Sequence, residues 1–371
     1  RLLDSVSNAE FTTNNIPLHI SIDPSDNTEV QQIAMDFEWK HGHKNVVIHT
    51  SHLGLKNHIL TCGKLTATYD NIILLEDDLV VSPQFYTYAI EGLSFYENDE
   101  SISGISLYNY EIAESCFFQF EPIKDGSDIY FMQFASSWGQ AWSKKHWAKF
   151  EVWLAENGDD KLNLLPKFMS AWGDKSWKKY FVNYMIDLDL YFAFPRESLT
   201  TNFEDPGTNA TTNGLYQTSL LQGKRAFQWQ TLSESKSVYD ANFEPTPSTI
   251  DAHTSTFHGK NYEVDLYGEK PKESFKAEFV LTTKKGRTPL HRYSHQMRPL
   301  IQNVVSNLQG NSIGFYKKED VFESETNPTY FIPGSIAKLV RDQLMDQVEV
   351  SIVVPICNQN IEELKVTLTS F

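Results

Sequence analysis

The chain has 371 residues, a formal net charge of −16 and three cysteines. This length fits one large domain with additions, or two or more domains of about 100–200 residues each. The acidic balance argues against a nucleic acid partner, because phosphate binding needs a basic stripe. Cys62, Cys116 and Cys357 lack zinc or disulfide spacing, which indicates a reducing compartment. No apolar run approaches the roughly 20 residues of a membrane span, so we expect a cytoplasmic protein with at most peripheral contact with the inner membrane face.

The first hundred residues alternate short apolar strands with amphipathic helices. Strands are predicted at 16–23, 45–50 and 71–77, with helices between them, the first after an Asn27 cap. This alternation is typical of βαβ units and of a parallel sheet buried on both faces. The prediction is an α/β fold with a mixed, mainly parallel central sheet flanked by helices.

Beyond residue 108 the pattern is less regular. Further elements are predicted as strands at 101–109 and 188–195 and as helices at 143–157 and 173–187. Residues 226–345 are interpreted as an extension or linker that contains a basic segment at 278–310. Three interpretations of this segment stay open: a solvated basic face, a contact with a phosphate of the donor or acceptor, and a contact with an anionic membrane surface.

Three consecutive carboxylates, Glu76, Asp77 and Asp78, follow the apolar run "NIILL". A helix is predicted to begin after them in the chain, with Ser82 as its N-cap and Pro83 in its first helical position. The triplet therefore falls at the carboxyl end of a buried strand, where open α/β sheets bind ligands. A helix dipole contributes only about 0.3–1 kcal/mol and does not explain three charges. A hard cation, Mn²⁺ or Mg²⁺, bound through one or two carboxylates and substrate phosphates explains them better.

The stretch "ILLEDDLVVSPQFYTYAIEGLSFYENDESISGISLYN" resembles the acidic metal-binding motif of inverting GT-A glycosyltransferases. The likeness is to the group around N-acetylglucosaminyltransferase I and to bacterial polysaccharide glycosyltransferases, and it covers about residues 1–225. It implies a GT-A, Rossmann-like nucleotide-sugar-binding fold. It also implies metal-dependent, inverting transfer of a sugar, with GlcNAc favoured, from a UDP-sugar to a hydroxyl of a glycan or lipid-linked glycan.

The resemblance further implies roles for single residues. Asp78 would coordinate the metal, Mn²⁺ or Mg²⁺. Glu76 would face the donor sugar, and Asp77 the ribose or sugar side of the donor. Asp23 matches a carboxylate that contacts the nucleoside, although a turn residue at a strand end is an equal interpretation. Lys56 matches a region that lines the nucleobase pocket.

Inverting transfer needs a base that removes the proton of the acceptor hydroxyl. The segment "SAWGDKSW" offers Asp174, for which helix capping is the alternative role. Thr208 and Asn209 would lie near the diphosphate, where relatives often carry Gly-Thr-His; an Asn can still donate a hydrogen bond there. Trp138 and Trp142 are expected to be either sugar-binding walls or core residues.

The two ends of the chain suggest a tandem arrangement. Residues 346–371 look like the opening strand and helix of a GT-A unit, whereas residues 1–11 look like a helix without its preceding strand. Either a second glycosyltransferase domain begins at 346, which we favour, or the last strand completes the first sheet. A non-catalytic glycan-binding or assembly module that retains the fold is the alternative to an enzyme.

Overall fold

Short strands and helices alternate along the computed structural model, which describes residues 1–24, 27–158, 164–170, 172–202 and 216–323. Its strands are β1 (Leu18–Ile22), β2 (Lys44–Ile48), β3 (Asn71–Leu74), β4 (Leu79–Val81), β5 (Ile102–Ser106), β6 (Ile112–Ala113), β7 (Phe118–Gln119), β8 (Ile129–Met132), β9 (Gln140–Ser143), β10 (Tyr191–Pro195), β11 (Thr200–Asn202), β12 (Val238–Tyr239), β13 (Tyr262–Asp265), β14 (Phe279–Thr282), β15 (His291–Tyr293) and β16 (Ile313–Lys317). Its helices are α1 (Leu2–Ser7), α2 (Thr28–Asp36), α3 (Gly54–Gly63), α4 (Thr66–Tyr69), α5 (Phe85–Phe95), α6 (Lys144–Asn157), α7 (Lys167–Ser170), α8 (Trp177–Asp187), α9 (Pro247–Asp251) and α10 (Ile301–Val305). The predicted unit at 346–371 lies outside the described residues.

The largest sheet has six strands in the order β12-β8-β10-β5-β9-β3. The pairs β12 with β8 and β10 with β5 are parallel, whereas β8 with β10, β5 with β9 and β9 with β3 are antiparallel. The prediction of an α/β fold with a mixed sheet is confirmed. The prediction that most strand pairs are parallel is not met among the described strands of this sheet. Three of its five pairs are antiparallel, two of them because β9 runs opposite to both β3 and β5.

The first predicted βαβ unit is present. β1 and β2 pair in parallel, and α2 connects them. The Asn27 side chain accepts a hydrogen bond from the Glu29 N–H at 3.0 Å, as expected of the helix cap. In the described part of the chain β3 does not pair with these strands; it pairs with β9.

Apolar side chains pack on both faces of the six-stranded sheet, since successive residues of a strand point to opposite sides. On one face, α3, α6 and α8 enclose a core that includes Trp142, Trp147 and Phe181. On the other face, α5 contributes Tyr88 and Leu93 to a second core. Each side of the sheet is thus covered by helices.

The helix after the acidic triplet begins later than predicted. Gln84 precedes its first turn, and Ser82 Oγ accepts a hydrogen bond from the Gln84 N–H at 3.1 Å. Ser82 therefore stabilises a turn ahead of α5 and is not the cap residue. The short strand β4, which the sequence did not predict, occupies the space between the triplet and this turn.

Residues 226–323 continue the same compact unit. β12 adds an edge strand to the large sheet, and a four-stranded sheet follows in the order β13-β14-β16-β15. Phe279, Leu281 and Phe315 of this sheet belong to the core that contains Trp142. Within the described ranges no helix combines the length and the apolar character needed to cross a membrane.

We expect Gly104→Ala to destabilise the fold. A Cβ at Gly104 in β5 would lie 2.5 Å from the Phe192 ring and 2.9 Å from the Trp142 ring. Overpacking of this kind should lower the free energy of unfolding by about 1–3 kcal/mol, measured by urea denaturation. Gly223→Ala is the control, because no atom lies within 4 Å of its added Cβ. Equal stability of the two variants would contradict the packing described for β5.

Candidate functional site

The acidic triplet lies between the end of β3 and the start of β4. Asp77 is exposed, whereas Glu76 and Asp78 are partly buried. Because β4 pairs with β11, Asn202 comes beside Asp78, and Asn202 Nδ2 donates a hydrogen bond to Asp78 Oδ2 at 2.7 Å. The structure therefore places the three carboxylates at the carboxyl end of β3, with an amide of β11 against the last of them.

Two oxygens of the triplet, Glu76 Oε1 and Asp78 Oδ1, are shielded from solvent and have no hydrogen-bond partner among the residues that the structure describes. Burial, followed by the charges of Asp78 and Asp77, raises the pKa of Glu76 to about 8, although Lys178 opposes the shift. Burial also raises the pKa of Asp78 against the effect of the Asn202 hydrogen bond. An unpartnered buried polar atom costs about 1–3 kcal/mol, so a ligand that supplies partners would bind favourably here.

The donor atoms at this edge suit a hard divalent cation. Mn²⁺ and Mg²⁺ prefer carboxylate and amide oxygens, and Asp78 Oδ1 makes no hydrogen bond. In the part of the chain that the structure describes, no group of three or more His, Cys, Asp or Glu side chains could hold a metal ion. The residues present fit a cation that takes part of its ligands from a substrate phosphate.

A buried lysine of α8 supplies positive charge near the triplet. Lys178 Nζ donates to Glu114 Oε1 at 3.0 Å and to the Tyr110 hydroxyl at 3.1 Å, and its side chain is only 6% exposed. Burial lowers the pKa of Lys178, and the charges of Glu114 and Glu76 act against this. Four aromatic rings lie with their centroids 4.1–5.6 Å from the ammonium group: Phe134, Trp172, Tyr110 and Trp138. An ionised Glu76 would therefore have a fixed positive charge nearby.

Asp174 lies just ahead of α8, and its side chain is 93% exposed. Its Oδ1 accepts a hydrogen bond from Lys179 Nζ at 3.0 Å, and Lys179 also donates to the Trp172 carbonyl at 3.3 Å. Ser176, rather than Asp174, precedes the first turn of α8. Asp174 is thus not the cap residue, and its carboxylate is held in a position accessible from solvent.

Asp23, at the end of β1, fixes the start of α3. Its carboxylate accepts hydrogen bonds from the Leu53 N–H at 2.8 Å and the Gly54 N–H at 3.0 Å, and it pairs with His52 at 2.9 Å. Burial acts to raise the pKa of Asp23, but these contacts outweigh it and lower the pKa. Both oxygens of Asp23 therefore already have partners within the protein.

Lys56 lines a cavity of about 160 Å³ between α3, α6 and α8. Its ammonium group lies 4.2 Å from the centroid of the Tyr180 ring. The remaining lining is mainly apolar and consists of Leu60, Phe150, Leu154, Gly158 and Trp177. A cavity of about 150 Å³ holds a benzene ring, so this one accommodates a planar six-membered ring beside a cation.

The two candidate tryptophans differ in their surroundings. Trp142 is fully buried and packs against Trp147 at a centroid distance of 4.8 Å, so it is a core residue. Trp138 is half-buried and packs against Tyr216, with the ring centroids 4.6 Å apart and the ring planes tilted by 34°. Thr208 and Asn209 lie outside the described residues.

Sequence reasoning did not identify Asn202, Lys178 and Glu114. Asn202 stands in a two-strand pairing that has no local periodicity. Lys178 belongs to a Lys-Lys pair on a helix, a pattern typical of a solvated face, and only the fold shows that it is buried. The aromatic-rich segments around residues 110, 134 and 172 are the signal that could have suggested a buried cation, because such rings stabilise ammonium groups.

Comparisons with known proteins give no family for this chain. Neither a scan against models of known protein families nor a search of curated proteins returns a match. The function is therefore inferred from the residues of the site and from the resemblance of the segment around Glu76 to the GT-A motif.

We expect Glu76 to make the stability depend on pH. Its pKa is about 8 in the folded protein against 4.5 as the reference, so the protonated carboxyl stabilises the fold at low pH and this contribution is lost as the pH rises to about 8. The free energy of unfolding should fall by up to about 1.4 kcal/mol per pH unit in this window. Urea denaturation at several pH values measures the fall.

Glu76→Gln, which carries a neutral side chain of the same shape, should flatten this pH dependence. Glu156→Gln is the matched control, because Glu156 is exposed on α6 and should leave the wild-type profile unchanged. Identical profiles for the wild type and Glu76→Gln would show that Glu76 does not titrate in this window.

Proposed function

We propose that this chain is a metal-dependent inverting glycosyltransferase of the GT-A, Rossmann-like type. It would move a sugar, with GlcNAc favoured, from a UDP-sugar to a hydroxyl of a glycan or lipid-linked glycan. The observation that carries the proposal is the pair of unpartnered oxygens, Glu76 Oε1 and Asp78 Oδ1, at the carboxyl end of β3. Ligands of open α/β sheets bind at this edge, and the resemblance of the same segment supplies the reaction class.

On the donor side, Asp78 would hold Mn²⁺ or Mg²⁺ with the Asn202 amide beside it. Such a cation, when bound, neutralises charge on the leaving diphosphate. Glu76 and Asp77 would face the sugar and ribose. Because the pKa of Glu76 is raised, its carboxyl group can donate a hydrogen bond to a sugar oxygen at neutral pH.

The nucleobase would occupy the cavity beside Lys56. The size of this cavity and its aromatic wall at Tyr180 support the assignment. Asp23 would support the nucleobase pocket indirectly. Its contacts with the Leu53 and Gly54 N–H groups fix the start of α3, the helix that carries Lys56. This role replaces the direct nucleoside contact that the resemblance implies.

On the acceptor side, Asp174 would act as the base. Its carboxylate would take the proton of the acceptor hydroxyl while the acceptor oxygen bonds to the anomeric carbon and the nucleoside diphosphate leaves with the electrons of the broken bond. The exposure of the Asp174 carboxylate, which leaves it accessible to an acceptor, supports this role. The partly exposed rings of Trp138 and Trp172 offer faces on which a sugar can stack.

A non-catalytic glycan-binding or assembly module is the second candidate. It is favoured by the engagement of Asp23 with backbone N–H groups and of Asp174 with Lys179, since both carboxylates already have structural partners. A binding module would keep the aromatic surfaces and would not need the base.

Asp78→Asn should abolish metal-dependent nucleotide binding and leave the fold intact, because an amide is a much weaker cation ligand than a carboxylate. Calorimetric titration of UDP-, GDP- and CMP-linked nucleotides and sugars, with and without Mn²⁺, measures the effect. Asp36→Asn is the control, because Asp36 is exposed on α2. Metal-dependent binding that persists undiminished in Asp78→Asn would refute the cation assignment.

Asp174→Asn should behave differently. Donor affinity should stay within about twofold of the wild type, whereas the transfer rate should fall by about 10²–10⁴-fold, the contribution of a positioned base. Lys179→Met tests the structural alternative, because it removes the Asp174 contact and leaves the carboxylate in place. A loss of activity in Lys179→Met as large as in Asp174→Asn, or a loss of donor binding in Asp174→Asn, would argue against the base.

A further inference from the structure

Gln140, the first residue of β9, is a fully buried amide without hydrogen-bond partners. Its side chain has no exposed area, and in the described part of the chain neither Oε1 nor Nε2 finds a hydrogen-bond partner. Its Cα pairs with Leu74 on β3 and with Ser106 on β5, so it lies between two neighbouring strands of the sheet. Buried amide groups are nearly always paired, and an exception calls for a functional explanation.

The register places Gln140 directly opposite Leu74, the last residue of β3. Leu74 and Trp142 both belong to the core under α3, α6 and α8. Gln140 stands two residues before Trp142 on β9, so it shares that face of the sheet by strand alternation. Glu76 follows Leu74 by two residues, so the chain brings it to the same end of the sheet as Gln140. Lys178 of α8, one of the helices that cover this face, acts electrostatically on Glu76.

We propose that Gln140 hydrogen-bonds the donor sugar and so determines which sugar is accepted; the proposal rests on the function proposed above. An amide offers an acceptor oxygen and two N–H donors side by side. A diphosphate only accepts hydrogen bonds and a cation binds only the oxygen, so either would leave half of the amide unpaired. Two neighbouring pyranose hydroxyls, or the acetamido group of an N-acetyl sugar, both donate and accept and would satisfy both halves.

Trp138 lies two residues before Gln140 in the chain. Its ring is half-buried, packs against the same core as Trp142 and lies with its centroid 4.6 Å from that of the Tyr216 ring. Glu76 Oε1 is closed to solvent together with the Gln140 amide. The proposal therefore requires that neighbouring side chains move as the sugar enters.

The test is Gln140→Met, which keeps an unbranched side chain of similar length and removes the amide. Calorimetry in the presence of Mn²⁺ compares UDP, UDP-glucose and UDP-GlcNAc. We expect UDP to bind within about twofold of the wild type, and at least one UDP-sugar to bind about 10- to 100-fold more weakly. A loss confined to UDP-GlcNAc would assign the amide to the acetamido group, and a loss shared with UDP-glucose would assign it to the hydroxyls.

Tyr184→Phe is the matched control. Tyr184 on α8 is fully buried, and its hydroxyl also lacks a partner. Because both substitutions remove an unsatisfied polar group from a core, neither should lower the thermal midpoint, and only Gln140→Met should change sugar binding.

Unchanged affinity of Gln140→Met for every UDP-sugar that the wild type binds would overturn the inference. An equal loss for UDP and UDP-sugars would also overturn it, since it would mark general damage to the site. A wild-type protein that binds neither UDP nor any UDP-sugar would instead refute the proposed function, and this inference with it.

Discussion

The candidate site depends on the ion pair between Lys178 and Glu114. Breaking a buried pair leaves an uncompensated charge, which typically costs about 3–5 kcal/mol, so α8 cannot withdraw from the end of the sheet without that loss. The next residue, Lys179, carries the contact with Asp174, and Lys178 itself acts on Glu76. Two successive residues of α8 thereby contact the candidate base and act on the acidic triplet.

The direction of β9 brings further residues to the candidate site. β9 runs antiparallel to β3, so its first residues meet the carboxyl end of β3. Trp138 and Gln140 are brought to the end of β3 in this way, although they are at least 60 residues away from the triplet in sequence. A parallel neighbour would have placed its own carboxyl end there instead, and the buried amide of Gln140 would not lie opposite Leu74, the last residue of β3.

Local patterns in the sequence predicted much of the sheet and its helices. β1, β3, β5 and β10, and the helices α2, α6 and α8, lie within the predicted segments, because apolar periodicity and caps act over a few residues. β2 begins one residue before its predicted segment. The direction of β9, the pairing of β4 with β11 and the burial of Lys178 were not predictable in this way. The Lys178–Glu114 and Asn202–Asp78 contacts join residues 64 and 124 positions apart, and nothing in local periodicity specifies such partners.

The contrast with Asp125 explains why the unpartnered atoms point to a ligand. The partly buried carboxylate of Asp125 pairs with Arg196 at 2.9 Å and accepts further hydrogen bonds from Gln230 and from the backbone N–H groups of Ser127 and Lys236. The chain thus satisfies the buried charge of Asp125 fully. At the carboxyl end of β3, oxygens of Glu76 and Asp78 and the whole amide of Gln140 have no hydrogen-bond partner among the described residues. Since each unpaired group lowers stability, the polar substrate proposed above would offset this cost by pairing with them.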